Sequence, residues 1–225
     1  MINCAVCGGE ATQLEHRKTC SKCGHLFRDK ENNLEFQKAF HLLHTRSSNE
    51  VVNRKIDWKV FHANRQWIVD ARYEKIKGVL HKSFDCLDIG AGGGTFANRI
   101  KSSVRNVECL EIADFLSDEI AAQGFKTYTN DFLEHNFEKI YDVVFAWHIL
   151  EHIIDIENFL KKCDELSTRY VVIEIPVERD LPKIFDGHIH MFNKESLGLC
   201  LRKQFNNVKI IDGVQKPALL AIIEK

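Results

Sequence analysis

Ten consecutive residues do most to limit the fold: Leu87-Asp88-Ile89-Gly90-Ala91-Gly92-Gly93-Gly94-Thr95-Phe96. The apolar run Phe84–Ile89 leads into the glycines, and a helical pattern over Phe96–Ser102 leads out of them. A strand that turns through glycines straight into a helix is the opening unit of an open α/β sheet, and ligands approach such a sheet at that turn. Glycines at 90, 92 and 94 remove side chains, so a ligand can touch the backbone there. Thr95 stands where a dinucleotide loop of the G-x-G-x-x-G type needs glycine. Such a loop also holds a diphosphate at the helix N-terminus. Asp88, just before the turn, suits a cation better.

From residue 84 onward, strand and helix patterns alternate. Further strands are predicted over Val107–Ile112, Phe125–Thr129, Tyr141–Trp147 and Tyr170–Ile175, the last apolar apart from Glu174. Helices are predicted over Asp114–Gln123, Asp155–Leu166 and Lys194–Lys203, with Asn193 as a cap. The alternation implies an α/β fold with a parallel sheet covered on both faces. Val208–Asp212 and Leu219–Glu224 are joined by a turn at Gly213 and Pro217. That is too short for a crossover helix, so the last strand is expected to run antiparallel. Glu111, at the end of the second strand, can accept hydrogen bonds from both hydroxyls of a ribose. Asn130-Asp131-Phe132 suits adenine, with Asp131 for the exocyclic amine and Phe132 for the ring face.

The N-terminal residues 1–30 read differently. Cys4-Ala5-Val6-Cys7-Gly8 and Cys20-Ser21-Lys22-Cys23-Gly24 are two copies of C-x-x-C-G, twelve residues apart. Each pair can turn two thiolates toward one ion, and four thiolates in a tetrahedron suit zinc. Iron in a rubredoxin-like site is the rival. Four sulfurs leave no open coordination position, so the ion is expected to be structural, supplying folding energy that this small lobe lacks. His16 and His25 lie nearby as possible substitutes. Residues 31–82 read as a helical linker. Phe36, Phe40 and Leu43 share one face, Ser47 and Ser48 mark a break, and Val52, Ile56, Val60, Trp67 and Ala71 form a second stripe. Residues 83–225 make the third part. Cys86, Cys109, Cys163 and Cys200 are expected to be buried small apolar groups.

Composition narrows the function. The 225 residues are 44% hydrophobic with a formal net charge of -1. Disorder is excluded as the main state, and a dedicated non-specific nucleic-acid binder would carry a strong positive excess. No apolar run approaches the roughly 20 residues of a membrane helix. Met1-Ile2-Asn3-Cys4 lacks the build of a signal peptide, so a cytoplasmic protein with reduced thiols is expected.

The pattern D-x-G-x-G-x-G at 88–94, with Glu111 closing the next strand, resembles motif I and its acidic partner in class I S-adenosylmethionine-dependent methyltransferases. That cofactor carries an ammonium and a sulfonium and no phosphate. The run Tyr141–Ile153 contains His148-Ile149-Leu150-Glu151-His152. It is similar to the branch with an H-x-L-E-H segment, which includes ubiquinone-type O-methyltransferases and many natural-product and sugar enzymes. Residues 186–197 are similar to the H-x-x-x-F-[ST]-x-x-S-L segment of that branch. The resemblance covers roughly residues 80–205. It implies a Rossmann-like seven-stranded sheet with the last strand antiparallel. It also implies S-adenosylmethionine held by Asp88, Gly90, Gly92, Gly94, Glu111, Asp131, Phe132 and Trp147, with His148 near its methionine part. Some sugar C-methyltransferases carry a zinc lobe ahead of this fold. Here Gly187 replaces the carboxylate they place before the late histidine, which argues against C-methylation.

For a hydroxyl acceptor a base must take a proton, and histidine titrates in the right range. His148, His152, His188 and His190 fall in segments expected at the carboxyl edge of the sheet. The order of preference for the base is His188, His152, then His148. Histidines and Asp186 sharing a metal ion is a further possibility. The expected acceptor is a small molecule: a hydroxyl of a sugar, a nucleotide-linked sugar or a related metabolite. Helices in 31–82 would form a lid, with Trp58, Phe61 and Tyr73 as acceptor contacts. The alternative is an rRNA or tRNA methyltransferase whose zinc lobe binds RNA, and residues 46–82 carry nine Lys/Arg against four acids. Trp147-His148 stands where enzymes acting on exocyclic amines of bases carry an Asn/Asp-Pro-Pro-aromatic segment. Sugar C-methylation is the second alternative.

Overall fold

A computed structural model describes residues 2–14, 17–28, 51–52, 55–177, 187–214 and 217–225. The chain opens with β1 (Ile2–Asn3), β2 (Glu10–Leu14), β3 (Arg17–Cys20), β4 (Leu26–Phe27), β5 (Val51–Val52) and β6 (Lys55–Ile56), followed by α1 (Trp58–Ile76). Then come β7 (Asp85–Ile89), α2 (Thr95–Ile100), β8 (Asn106–Leu110), α3 (Asp114–Ala122), β9 (Lys126–Tyr128) and β10 (Tyr141–Trp147). The order closes with α4 (Ile156–Leu166), β11 (Ser167–Pro176), β12 (His190–Met191), α5 (Lys194–Leu201), β13 (Asn207–Asp212) and β14 (Ala218–Glu224).

Seven strands form one sheet in the order β13-β14-β11-β10-β7-β8-β9. β7, β8 and β9 run parallel, whereas β14 is antiparallel to both β11 and β13. The expected α/β fold with a reversed last strand is therefore present. The short turn before β14 explains the reversal. Gly213 donates its N–H to the Ala218 carbonyl at 2.8 Å. A Cβ on Gly213 would lie 2.7 Å from that of Ala218, so position 213 has no room for a side chain.

The chain divides into two compact units, residues 33–145 and residues 1–32 with 146–225. In the first, Cys86, Leu87 and Ile89 of β7 and Val107, Cys109 and Leu110 of β8 are buried, as are Phe96, Ala97 and Ile100 of α2. α1 corrects the reading of residues 31–82. Val51-Val52 pairs antiparallel with Lys55–Ile56 instead of entering a helix. The helix begins only after Asp57, whose carboxylate accepts the Val60 N–H at 3.1 Å. The buried face is Phe61, Val69 and Ile76, while Val60 and Trp67 are 38% and 59% exposed. β-Branched pairs favour extended backbone, and an Asp N-cap fixes where the helix starts; together they rotate the apolar stripe away from the expected one. Phe36, Phe40, Leu43, Ser47 and Ser48 lie outside the described residues.

In the second unit, α4 buries Ile156, Phe159, Leu160, Cys163 and Leu166, the i, i+3, i+4 pattern of a one-faced helix. Asp155 caps it through the Asn158 N–H. A five-stranded sheet in the order β1-β2-β3-β4-β12 joins the N-terminal strands to a late one. β12 pairs antiparallel with β4, His190 opposite Phe27 and Met191 opposite Leu26. Among the described residues no helix is long and apolar enough to cross a membrane.

Candidate functional site

The two C-x-x-C-G segments fold as copies of one turn. Gly8 donates to the Cys4 carbonyl at 2.8 Å and Gly24 to the Cys20 carbonyl at 2.9 Å. Cys4 donates to the Gly9 carbonyl and Cys20 to the His25 carbonyl. Gly8 and Gly24 sit at φ 70° and 64°, a left-handed conformation that side chains resist. The sulfurs of Cys4, Cys7, Cys20 and Cys23 lie within 4.8 Å of one another, with Cys7 and Cys20 3.4 Å apart and Cys4 and Cys23 3.9 Å apart. Burial raises the Cys20 thiol, but the N–H groups of Cys23 and Lys22 outweigh it and leave it at about 7. Four convergent thiols with amides turned toward sulfur fit a tetrahedral thiolate site for a metal ion. His25 takes no part in the cluster. Its ring stacks on Phe27 and its Nε2 lies 3.1 Å from Nδ1 of His190. Burial, with His190 beside it, pushes His25 down to about 3. His16 lies outside the described residues.

In the other unit, Gly90, Gly92 and Gly94 all adopt the left-handed conformation, at φ 65°, 57° and 77°. The turn uses its own amides. Gly90 and Ala91 donate to the Leu110 carbonyl, Gly94 to Ala91, and Gly92 to Oε2 of Glu111 at 2.9 Å. Oε1 of Glu111 accepts the Ala113 N–H at 2.9 Å. Burial pushes Glu111 up to about 7, although the N–H groups of Ala113, Gly92 and Ile112 oppose the rise. Asp88 is fully buried, and neither carboxylate oxygen has a hydrogen-bond partner. Burial pushes it up to about 8 against the pull of Arg72. Phe132 is buried and tilts against Phe137, and Asp131 Oδ1 accepts the Leu133 N–H at 2.7 Å.

His62, Glu119 and Gln123, to which nothing in the sequence pointed, complete this turn. Thr95 Oγ1 lies 2.8 Å from Nδ1 of His62, and Nε2 of that ring lies 3.0 Å from Glu119 Oε1. Gln123 donates to the Gly93 carbonyl at 2.8 Å. Phe61 packs so closely that a Cβ on Gly93 would fall 2.6 Å from its ring. No spacing rule links 62 with 95 and 119, so only the fold reveals the chain. Of the expected acceptor contacts, Trp58 meets Phe61 edge-on, while Tyr73 lies under the Arg99 guanidinium with its hydroxyl near Ser103.

The three histidines expected as bases come together in the unit that also holds the cysteine cluster. Trp147 ends β10, buried, and His148 follows at φ 56°, the single left-handed non-glycine among the described residues. Its Nε2 is 3.2 Å from Glu174 Oε1 and its Nδ1 is 3.4 Å from Glu151 Oε1. Glu174 and Glu151 are 0% and 1% exposed. Glu174 also accepts the Val214 N–H at 2.9 Å. Its signal in the sequence was a lone carboxylate within an apolar strand. His188 Nε2 lies 3.9 Å from Glu151. His152 Nδ1 is 2.9 Å from the Gly187 carbonyl, so Nδ1 carries the proton and Nε2 the lone pair. The rings of His152 and His188 meet edge-on at 4.7 Å. Burial would raise Glu151, but His148, His152 and His188 outweigh it and hold the carboxyl below its usual range. Burial lowers His152. His190 instead bonds His25, and Asp186 lies outside the described residues.

Residues 59–209 match the family described as Methyltransferase domain. The chain belongs to that family, as a class I S-adenosylmethionine-dependent methyltransferase. No curated protein matches it in sequence. Its fold is similar to that of N-methyltransferase NodS from Bradyrhizobium japonicum WM9 in complex with S-adenosyl-L-homocysteine, at a TM-score of 0.58 and 9% identity, covering 84% of this chain and 98% of that one. Streptomyces venezuelae DesVI gives 0.61 and 10%, covering 75% and 97%. A possible histamine N-methyltransferase from Thermotoga maritima gives 0.59 and 14%, covering 75% and 94%. At such identities the likeness is one of fold.

Proposed function

We propose that this protein moves the methyl group of S-adenosylmethionine to a small-molecule acceptor, through a hydroxyl of a sugar, a nucleotide-linked sugar or a related metabolite. The observation that carries the cofactor is the glycine turn. Its amides at 90, 91, 92 and 94 are already bonded, which leaves little for a diphosphate, while Asp88 is a buried carboxyl with no hydrogen-bond partner. A ligand with cationic groups and no phosphate fits that arrangement. Glu111, fixed by two backbone amides, would take the ribose hydroxyls. Asp131 and Phe132 would take adenine. Bound there, the cofactor supplies an electrophilic methyl group.

The chain's own contribution to transfer is positioning and proton handling. Among His188, His152 and His148, a neutral imidazole accepts the hydroxyl proton. The carboxylates of Glu151 and Glu174 stabilise the imidazolium that results, as a buried acid does for a catalytic histidine. A positioned base of this kind contributes about 10²–10⁴ in rate. The four cysteines hold structural zinc. The other four cysteines, Cys86, Cys109, Cys163 and Cys200, are buried and outside any disulfide, which fits a reducing, cytoplasmic setting. The small-molecule reading draws support from the histamine named for one structural neighbour. An amine acceptor is the second reading, because two of the neighbours are named N-methyltransferases.

The test uses cofactor labelled in its methyl group, the purified protein and a cell lysate separated into small-molecule, RNA and protein fractions. Label in the small-molecule fraction is expected, and the bond formed there separates hydroxyl from amine. Label confined to RNA or to protein would overturn the reading.

A further inference from the structure

We propose that Glu151, His152 and His188 bind a divalent first-row transition-metal ion, at a site separate from the four cysteines. One ligand atom from each of the three lies within 4.8 Å of the others. Glu151 is 1% exposed, and neither of its oxygens has an aligned hydrogen-bond donor. A buried carboxylate in that state calls for a counter-charge. His148 stands 3.4 Å away at ion-pair distance, and His188 at 3.9 Å.

The imidazoles are set up as ligands. His152 is bonded through Nδ1 to the Gly187 carbonyl at 2.9 Å, which fixes the tautomer with a lone pair on Nε2. Metal-bound histidines have this kind of outer partner. His188 is held in place by backbone on its far side. The next residue, Ile189, donates to the Glu151 carbonyl and accepts from Arg28, both at 2.9 Å. The cysteine lobe therefore helps to set His188 against Glu151. Gly187 also acquires a purpose: its carbonyl orients His152.

Two imidazole nitrogens and one carboxylate suit ions from manganese to zinc, whereas magnesium and calcium prefer oxygen throughout. Bonds of about 2.0–2.2 Å to zinc would draw the three ligand atoms inward, which small side-chain rotations allow. Three protein ligands leave coordination positions open. What the ion does rests on the methyl-transfer reading: it would bind the acceptor oxygen and ease its deprotonation, leaving His148 to take the proton.

The experiment starts with protein carrying one equivalent of zinc per chain and titrates cobalt(II), then manganese(II), followed by metal analysis, absorbance and manganese paramagnetic resonance. One further ion per chain is expected, and its cobalt spectrum should lack the sulfur-to-cobalt charge-transfer band. Glu151→Gln and His188→Gln should each weaken that ion at least 10-fold while the first ion per chain remains. Circular dichroism checks both variants, and His188→Gln keeps the test open if Glu151→Gln does not fold. Binding of cofactor is measured in the same samples by calorimetry. No ion beyond the cysteine-bound one, or an extra ion that survives the substitutions, would overturn the inference even where cofactor binds. An extra ion in protein that binds no cofactor would uphold the metal site and sink the methyl-transfer reading alone.

Discussion

Two pairs of buried carboxylates occupy this chain in opposite surroundings. Asp88 and Glu111 flank the glycine turn with only backbone amides beside Glu111 and no donor at Asp88. Glu151 and Glu174 flank His148. Burial raises the first pair to about 8 and about 7, whereas the histidines hold Glu151 below its usual range. One region sets imidazoles against its carboxylates, and the other leaves the Asp88 carboxyl without a hydrogen-bond partner. On the proposed reading, the difference separates the place of the cofactor from the place where the acceptor is handled.

The largest effect on cofactor affinity should come from Asp88→Asn. Hydrogen bonds to charged groups contribute about 1.5–3 kcal/mol, so affinity for S-adenosylmethionine should fall about 10- to 100-fold by calorimetry. The ligand-free variant should be more stable than the parent at pH 9. Asp88 has a folded value raised to about 8, so its ionisation disfavours the fold. That penalty sets in as pH rises from about 4, the unfolded value, and is complete above the folded one. Thermal melts at pH 4, 6 and 9 check the sign, with the gain for Asn absent at pH 4, present at pH 6 and largest at pH 9. Cofactor binding at pH 7 should also release a proton, visible as a dependence of the heat on buffer. The histidine region provides the contrast. His152→Gln with His188→Gln should abolish turnover while cofactor affinity stays within about twofold, because only the acceptor and the transition state need those imidazoles, as bases or as metal ligands. Equal losses of affinity in both regions would erase the distinction.

Gly93→Ala probes the turn at the next scale. The new methyl would meet the Phe61 ring at 2.6 Å. Overpacking of this kind destabilises by about 1–3 kcal/mol. Adding Phe61→Leu should recover part of the loss, and a double-mutant cycle in urea measures the coupling. Additive losses would show that the ring gives way without strain.

The two regions also differ in how far the sequence disclosed them. The glycine turn is a local device. Asp88, the glycines and Glu111 lie within 24 consecutive residues, and each carries a residue type that backbone geometry or charge demands there. The helices at 156–166 and 194–201 showed themselves through capping residues and apolar period. The histidine region is assembled from residues 148–152, 174 and 187–190, with the lobe behind it. Nothing in its spacing says that Glu151 would face three imidazoles, or that Gly187 would matter through its carbonyl. α1 misled for a different reason. Its exposed Val60 and Trp67 mimic an apolar stripe, and the Asp57 cap that sets its start is one polar residue among several.

The smallest expected effect tests the stitching of that assembled region. Asn193 caps α5 by accepting the Ser196 N–H at 2.7 Å, and its amide nitrogen donates to the Cys23 carbonyl at 3.2 Å. Asn193→Ala removes both bonds, and loss of a cap costs about 0.5–2 kcal/mol. Asn193→Asp keeps the cap and loses only the donor to the cysteine lobe. In urea melts Asp should therefore fall between the parent and Ala. The gap between parent and Asp measures what one bond contributes to holding the lobe against the late segment. A parent and Asp of equal stability would mean that the lobe is held by its other contacts, β12 with β4, Arg28 with Ile189 and His25 with His190. The histidine region would then depend on the lobe through those contacts and not through Asn193.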